Sequence, residues 1–527
     1  MSTSAFEALL SPHSFSSELK AYVLAVLPVF LYFAAKSISS GKNAKSKQPL
    51  PPGPKGKPII GNMLDIPQVK PWLVYKQWGE TYGNIVHVNA LGQSIVVINK
   101  LDQVIDLLEK RSTNYSDRPG LPMLDMMDYS FSFGLMPYGQ DWRRHRKVFH
   151  QYLHAHMVPR YNPIQEQEVI PFARNLLTSP EKFLLHTRVL FASIIMRASY
   201  GFEKVNYDDE LISDAENLLH AFAEVIVPGR YLVNHIPILR HIPSWFPGAG
   251  FKRKVWEMSR LSEKSVCMPF EMAKRRGREN ALPSMATDLI EQLPAENDPK
   301  REEEETVVKK AIANAYVAGA DTTVGTGHAL FLALAMNPEV QRKAQAEIDA
   351  VIGPGRLPLI RDRERLPYVQ AVVKEVTRWH TALPIGVPRK VTEDDEYMGY
   401  HIPKGAILMV NQWAINHDPE LYDDPMTFNP DRFIKDGKLN PEVPDPTNVA
   451  FGFGRRICPG RHFSNDSVFI LAATLFALFD IKQSKDEAGN PIPLELDVTS
   501  DTVSAPLPFK CDIVPRSAAA VSLIQKS

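Results

Sequence analysis

A glycine-rich loop at residues 451–460, with the sequence FGFGRRICPG, contains the residues best suited to hold a metal-bearing group. Its glycines allow the backbone to approach a large partner closely, and Cys458 can provide a thiolate ligand. The neighbouring Arg455 and Arg456 favour a lowered thiol pKa at Cys458. The loop is not a dinucleotide fingerprint, because Ile457 stands where the third glycine is required. A flat ligand carrying a metal fits this chemistry, and a buried structural cysteine in a glycine turn is the alternative.

The segment 318–323, with the sequence AGADTT, places an acid beside two alcohols in a predicted helix. Asp321 and Thr322 suit a proton relay, because the alcohol can position water or bound oxygen while the acid passes protons inward. Glycine, aspartate and threonine are unfavourable in a helix interior, so we expect a kink or a local widening there. The alternative is a threonine that hydrogen-bonds back to a carbonyl of its own helix.

Glu375 and Arg378 lie three residues apart in the predicted helix LPYVQAVVKEVTRW and therefore share one helix face. Alone, this spacing is typical of a surface ion pair that contributes roughly a few tenths of a kcal/mol. Arg432 follows in the turn-rich segment FNPDRF, residues 428–433. The pair therefore gains a function only in combination with the other motifs.

Trp142 and Arg146 are four residues apart in WRRHR, so they also share one face of a predicted helix. Hydrogen-bond donors at these positions could hold a carboxylate. Arg143, Arg144 and Lys147 point elsewhere on the same helix. Most basic helix faces are only solvated, but this one could also dock an acidic electron donor.

The composition of the 527-residue chain is that of an ordinary globular protein, with 44% hydrophobic and 23% charged residues. This excludes wholesale disorder and a polytopic membrane protein. Sixty basic and sixty acidic residues give a formal charge of zero, which argues against a nucleic-acid partner. The three cysteines are far apart and odd in number, which argues against a secreted disulfide scaffold.

The elements that must position these motifs are mostly helices. Residues 302 to about 335 predict one long helix, with acids at its start and Asn337-Pro338 at its end. Such a helix is about 50 Å long and can cross a whole domain. Residues 80–100 alternate and are rich in β-branched side chains, which predicts a hairpin.

An uncharged apolar run at residues 21–35 predicts a membrane anchor that extends over residues 19–36. Lysines dominate the following segment, with no acid before Asp65, so the positive-inside rule places the remaining chain on the cytosolic side. Residues 1–18 would then face the lumen. Residues 37–62 are basic and then proline-rich, which favours a stiff linker into the globular part.

The spacing of the cysteine loop resembles the haem-ligand loop of the cytochrome P-450 superfamily, in which the cysteine is the axial thiolate ligand. The acid–alcohol segment resembles the oxygen-activating segment of these monooxygenases. The resemblance covers residues 50–515 and is nearest to microsomal enzymes of filamentous and wood-associated fungi. It implies a mainly α fold with a small β-rich lobe and a single N-terminal anchor. The catalytic domain would span residues 63–515 and a C-terminal tail residues 516–527.

The resemblance also implies roles for individual residues. Cys458 would bind the iron, Asp321 and Thr322 would be catalytic, and the buried Glu375, Arg378 and Arg432 would support the haem loop. The expected contacts to haem are Trp142, Arg146, Arg389, Phe451, Gly454, Arg456 and Gly460.

The implied reaction is the monooxygenation of a lipophilic substrate on haem b, iron protoporphyrin IX. Two electrons would come from NADPH through a separate reductase, with cytochrome b5 as a possible second donor. One oxygen atom enters a C–H bond and the other leaves as water. The expected location is the endoplasmic reticulum membrane, in fungal secondary metabolism. Two alternatives remain: a thiolate-haem isomerase or dehydratase that needs no reductase, and a non-catalytic haem sensor.

The substrate pocket is predicted from a methionine-rich and aromatic loop, residues 121–136, because this loop covers the distal haem face in the family. Methionine adapts its shape and contacts aromatic rings favourably, so the wall would be apolar and deformable. A terpenoid, a steroid or a polycyclic aromatic compound would fit such a wall. The predicted pocket residues are Met123, Met126, Met127, Phe131, Phe133, Ala318 and Ile385.

Overall fold

The computed structural model describes residues 48–203, 210–227, 229–276 and 282–527, without the side chains of Ala320 and Asp321. This part of the chain is mainly helical with small β-sheets, which confirms the predicted fold class. The predicted lumenal segment and membrane anchor, residues 1–36, lie outside the described residues. Within those four ranges, no helix is both long and apolar enough to cross a membrane.

Sixteen α-helices occur in the described ranges, and 3₁₀ and π-helical turns connect several of them. The helices are α1 Pro71–Tyr82, α2 Leu101–Ile105, α3 Pro122–Met126, α4 Gln140–Leu153, α5 Asn162–Thr178, α6 Phe183–Tyr200, α7 Glu210–Val225, α8 Phe251–Arg276, α9 Met285–Glu291, α10 Arg301–Met336, α11 Pro338–Val351, α12 Pro367–Trp379, α13 Gln412–Asn416, α14 Thr447–Ala450, α15 Arg461–Leu478 and α16 Ala518–Lys526.

The β-structure forms one four-stranded sheet and three two-stranded ladders. In the larger sheet, of order β1-β2-β6-β3, the predicted hairpin pairs antiparallel and β6 joins it in parallel. The strands are β1 Ile85–Ala90, β2 Gln93–Ile98, β3 Arg389–Lys390, β4 Asp395–Tyr397, β5 Tyr400–Ile402, β6 Ile407–Val410, β7 Ile434–Lys435, β8 Lys438–Leu439, β9 Phe479–Gln483 and β10 Cys511–Pro515.

Helix α10 is the central element, and it packs against α4, α6, α7 and α15. Its bounds agree with the predicted long helix. The α-helical pattern runs without interruption from Arg301 to Met336, so the predicted local widening is wrong. Close packing explains the glycine in the motif instead, because a Cβ atom at Gly319 would lie 2.9 Å from Cγ1 of Ile195 on α6.

The main hydrophobic core surrounds α10 and α15, where Phe331 and Phe476 are completely buried. The predicted C-terminal tail contains α16, whose Ala520 and Ile524 are buried in this core. At the other end, the proline-rich segment packs along β1, since the His87 amide donates to the carbonyl of Pro52 at 2.9 Å. Both chain segments therefore contact the helical and sheet layers that hold the site.

Candidate active site

A cavity of about 330 Å³ lies between α10 and the cysteine loop. Helices α4, α6 and α7 and the segment after α12 complete its wall. Most predicted cofactor residues line it together with Cys458 and Thr322. These are Trp142, Arg146, Arg389, Phe451, Arg456 and Gly460.

The cysteine loop places Cys458 immediately before the N-terminus of α15. The Cys458 amide donates to the carbonyl of Phe451 at 2.8 Å, which closes the loop. The Sγ atom faces the backbone N–H groups of Gly460 and Arg461, at the positive end of the α15 dipole. These donors suit a thiolate that ligates a metal.

Burial raises the pKa of the Cys458 thiol, although the two amides and the guanidinium groups of Arg146 and Arg461 oppose this shift. The expectation that Arg455 and Arg456 lower this pKa is therefore wrong. Arg455 donates to the Tyr138 hydroxyl at 3.0 Å, and Arg456 points toward the 116–136 loop. Because metal binding requires the deprotonated thiolate, a bound iron would supply the missing driving force for ionisation.

Four arginines, Arg118, Arg146, Arg389 and Arg456, converge on the cavity. Burial lowers the pKa of Arg389 to about 9 and of Arg456 to about 10, and it also lowers the pKa of Arg118 well below its usual value. Their mutual repulsion adds to the shift. Within the described ranges, none of the four forms a salt bridge with a carboxylate. Because buried charges are unfavourable unless they are paired, an anionic group of a bound ligand would stabilise this cluster.

Backbone carbonyl groups hold Arg118, Arg389 and Arg456 in place. Arg456 donates to Ser116 O at 2.8 Å and to Met136 O at 2.7 Å, while its guanidinium group stacks over the Trp142 ring. Arg389 donates to Phe453 O at 2.8 Å. Because carbonyl groups carry no net charge, these contacts orient the cations without neutralising them.

Helix α4 positions Trp142 and Arg146 one turn apart on the face toward the cavity. Arg146 is half-buried, and among the described residues it has no hydrogen-bond partner. Burial lowers its pKa. A thiolate at Cys458, together with unneutralised arginines above it, matches the donor set for haem: an iron ligand and partners for two propionates. The residues present therefore fit haem b.

Thr322 lines the cavity, and its hydroxyl donates to the Ala318 carbonyl at 2.8 Å. This is the back-bond that the sequence offered as the alternative to a relay. The next residue, Thr323, forms a 3.0 Å hydrogen bond with Ser464 and so joins α10 to α15. The side chain of Asp321 lies outside the described atoms, so its catalytic role stays a prediction.

Glu375, Arg378 and Arg432 lie together, away from the cavity wall. Glu375 and Arg378 are completely buried and form two hydrogen bonds of 2.8 Å. Arg432 donates to the same carboxylate at 3.3 Å, and the Asn429 amide donates to it at 2.8 Å. Arg378 also donates to Asn416 O at 2.9 Å. The network thus ties α12 to the 416–432 segment that precedes the cysteine loop.

Five of the residues predicted for the cofactor site or the substrate pocket do not line the cavity. Gly454 has a φ of +56°, and a Cβ atom there would lie 2.0 Å from the Leu108 carbonyl oxygen, so its close approach is to protein backbone. The methionines at 123, 126 and 127 pack into the main core around α3. Ile385 packs against the sheet instead. The structure therefore does not bring these five residues to the cavity wall, whereas Phe131, Phe133 and Ala318 do line it.

The sequence analysis missed several residues of the wall. Arg118 carried no spacing signal, because its guanidinium group contacts the carbonyls of Gly134, Val387 and Pro388 from distant segments. Asn314 had a detectable signal, since it lies four residues before Ala318 on the face that carries Thr322. The other missed wall residues include Tyr129, Phe191, Ile194, Ile195, Leu219 and Phe222.

Comparison with known proteins decides the family. The model of the cytochrome P-450 family matches residues 51–510. The chain belongs to the cytochrome P-450 family. It is 51% identical to the cytochrome P-450 monooxygenase COX1 of Coprinopsis cinerea, over 94% of this chain and 97% of that protein. It is 43% identical to the cytochrome P-450 monooxygenase COX2 of the same fungus, over 93% of each of the two chains. It is 37% identical to the tryptamine 4-monooxygenase of Psilocybe cyanescens, over 93% of this chain and 98% of that protein.

As a fungal-type cytochrome P-450, the protein is a haem-thiolate monooxygenase that uses haem b. Its electrons derive from NADPH and arrive through a reductase. These conclusions confirm the predicted family, enzyme class and cofactor. When bound, haem would supply oxygen activation and C–H oxidation, and the residues that line the cavity would hold it.

Proposed function

We propose that this cytochrome P-450 inserts one oxygen atom of O₂ into a C–H bond of a neutral, lipophilic compound. A terpenoid, a steroid or a polycyclic aromatic compound is the proposed substrate class. The observation that carries this proposal is the chemistry of the cavity wall. Away from the arginine cluster, aromatic and aliphatic side chains dominate it, including Phe131, Phe133, Phe191, Leu219 and Phe222.

The absence of acidic groups in the described wall supports a neutral substrate. Neither Asp nor Glu occurs among the lining side chains that the structure describes. A cationic amine such as tryptamine would lose its hydration in the pocket and would find no carboxylate there to pair with. This is unfavourable in an apolar site. We therefore propose that the substrate differs from that named for the Psilocybe relative.

A ligand titration tests this substrate class. We expect a sesquiterpene alcohol, a steroid and pyrene to convert the haem from low spin to high spin, since each displaces water from an apolar site. Tryptamine should produce a much weaker shift. Tight shifts with small charged compounds, and none with the lipophilic ones, would reverse the proposal.

Thr322 and Asp321 are proposed to control proton delivery. The Thr322 hydroxyl lies in the wall and donates to the Ala318 carbonyl, so its oxygen lone pairs remain free to accept a hydrogen bond from water in the cavity. Asp321 would exchange protons with the outside. The pair would pass protons into the cavity without placing an ionised group among the apolar wall residues.

Thr322→Ala is expected to retain haem and substrate binding but to lower the product formed per NADPH by about ten-fold, because a positioned proton donor contributes this much or more. Peroxide should account for the missing electrons. The matched control is Thr306→Ala, since exposed Thr306 makes the same 2.8 Å back-bond, to Glu302 on the same helix. Unchanged coupling in Thr322→Ala would remove this residue from the relay.

The electron donors are proposed to dock on the exposed face of α4. Arg143 and Lys147 are exposed there, whereas Arg144 is paired with Glu304 at 2.8 Å. Exposed cations on a surface attract an acidic partner electrostatically. NADPH–cytochrome P-450 reductase is the proposed partner, with cytochrome b5 as a second donor.

We propose that the protein is anchored in the endoplasmic reticulum membrane by residues 19–36, with its catalytic domain in the cytosol. A secondary contact is proposed through the 225–251 segment, where Trp245 is 80% and Ile238 70% exposed. Leu64 and Val69, exposed to a similar extent, lie in the adjoining 59–69 segment. Exposed apolar and Trp side chains suit a membrane interface.

Deleting residues 1–38 is expected to release most of the protein in mild salt or detergent, with an unchanged haem spectrum. Adding Trp245→Asp should weaken the remaining binding to vesicles, because the indole would leave the interface. Trp256→Asp on α8 is the control, as Trp256 is also exposed but lies outside both segments. Full solubility of the truncated protein without detergent would argue against the secondary contact.

A further inference from the structure

Two polar side chains in the cavity wall have no hydrogen-bond partner among the described residues. Asn314 on α10 is 8% exposed, and Tyr129, in the 3₁₀ turn Tyr129–Phe131, is 4% exposed. Both line the cavity, and neither side chain bonds to another described group. Buried polar groups are normally paired, so two unpaired groups that face one cavity point to a ligand.

The position of Asn314 on α10 determines how far its side chain lies from Thr322. It lies eight residues before Thr322 on α10, which corresponds to about 12 Å along the helix axis. Ala318 lies midway, and all three residues line the cavity. The Thr322 end is close to the cysteine loop, because the adjacent Thr323 bonds to Ser464 at the start of α15. Asn314 therefore marks the end of the cavity that is remote from Cys458.

The surroundings of Tyr129 are aromatic, and its hydroxyl is a potential hydrogen-bond donor to a ligand. Its turn packs against α10, and its ring stacks on Phe222 of α7 with a centroid distance of 5.8 Å. Phe131 contacts the same ring at 4.8 Å. Burial raises the pKa of Tyr129, so the hydroxyl stays protonated and can donate at neutral pH. The cavity wall thus adds the phenol of Tyr129, on a turn that packs against α10, to the amide of Asn314 on α10 itself, and the side chains around the phenol are aromatic.

We infer that Asn314 and Tyr129 form a polar anchor for one neutral oxygen function, a hydroxyl or carbonyl group, on an otherwise hydrocarbon substrate. This inference rests on the proposed function and narrows its substrate class. The anchor holds the oxygenated end, and the carbon to be oxidised lies about 12 Å away, near Thr322. The substrate is therefore an already oxygenated lipid, and an oxygen-introducing reaction or a hydrolysis must precede this step.

Three probes with one carbon skeleton test the anchor: farnesene, farnesol and farnesylamine. They are titrated into the haem-loaded protein, and affinity is measured from the change in spin state. We expect the wild-type protein to bind farnesol about ten-fold more tightly than farnesene, as one or two additional hydrogen bonds provide. Farnesylamine should bind more weakly than farnesol, because the described wall offers no carboxylate.

The variant Asn314→Leu should lower the affinity for farnesol by about ten-fold and leave that for farnesene within about two-fold, because leucine fills a similar volume without a polar group. Tyr129→Phe should act in the same direction. Farnesol oxidation, concentrated at the end of the chain far from its hydroxyl in the wild type, should spread over several positions in Asn314→Leu.

Four results would overturn the inference. Equal weakening of farnesol and farnesene by Asn314→Leu would assign a packing role to Asn314. Equal wild-type affinity for the two probes, or a preference for farnesylamine, would exclude a neutral polar anchor while leaving the monooxygenase function intact. No spectral shift with either farnesene or farnesol would contradict the proposed lipophilic substrate class, and the inference would fail with it.

Discussion

Replacing Cys458 by alanine is expected to abolish the thiolate-type spectrum of the reduced carbon monoxide complex and all monooxygenase activity. Cys458 lines the cavity beside the N-terminus of α15, and its Sγ atom faces two backbone amides and two guanidinium groups. Without the sulfur, the loop has no anionic ligand for the iron. The absorption spectrum of the reduced protein with carbon monoxide measures this effect directly.

The other cysteines provide the controls for this experiment. Cys267 is half-buried on α8, and Cys511 is buried at the start of β10. Neither lines the cavity, so Cys267→Ala and Cys511→Ala should keep the thiolate-type spectrum. If Cys458→Ala retained that spectrum while Cys267→Ala lost it, the ligand assignment would be wrong.

Glu375→Gln is expected to destabilise the protein by about 3–5 kcal/mol, because it leaves the buried Arg378 and the nearby Arg432 without their counter-charge. Glu375 and Arg378 have no exposed surface, and the carboxylate accepts hydrogen bonds from three groups besides Arg378 Nη2. The 416–432 segment should loosen, so the variant should also retain less haem. Chemical denaturation and the ratio of haem to protein measure the two effects.

A surface ion pair provides the matched control. Asp349 and Arg516 form a bidentate contact of 2.6 and 3.0 Å, in which the Asp349 side chain is largely exposed. Asp349→Asn should cost about 1 kcal/mol or less, since solvent screens exposed pairs. Equal costs for Glu375→Gln and Asp349→Asn would show that the buried network does not support the haem loop.

The parts of the fold that the sequence predicted correctly depend on local signals. Helix α10 was predictable because acids begin it and Asn337-Pro338 ends it, and the β1–β2 hairpin because its side chains alternate. The positions of Glu375 and Arg378 on one helix face also follow from spacing alone. Arg432 could be placed beside them only through the resemblance to the family, since it is distant in the chain.

Features that depend on packing between distant segments could not be predicted. Arg118 is held by carbonyls up to 270 residues away, so no local pattern marks it. The composition of the 121–136 loop does not specify which of its side chains face the cavity. Here Phe131 and Phe133 line the cavity, while Met123 and Met127 fill the core below. The close contact of Gly454 with the Leu108 carbonyl could not be predicted either, because these two residues are distant in the chain.

Isotope incorporation tests the central claim most directly. The haem-loaded protein is incubated with reductase, NADPH, ¹⁸O₂ and a lipophilic compound that produces a spin-state shift, and the product is analysed by mass spectrometry. The monooxygenase account predicts one ¹⁸O atom in each product molecule, with no product when the reductase is omitted. Conversion without the reductase, or a product that lacks ¹⁸O, would contradict it and favour an isomerase or dehydratase.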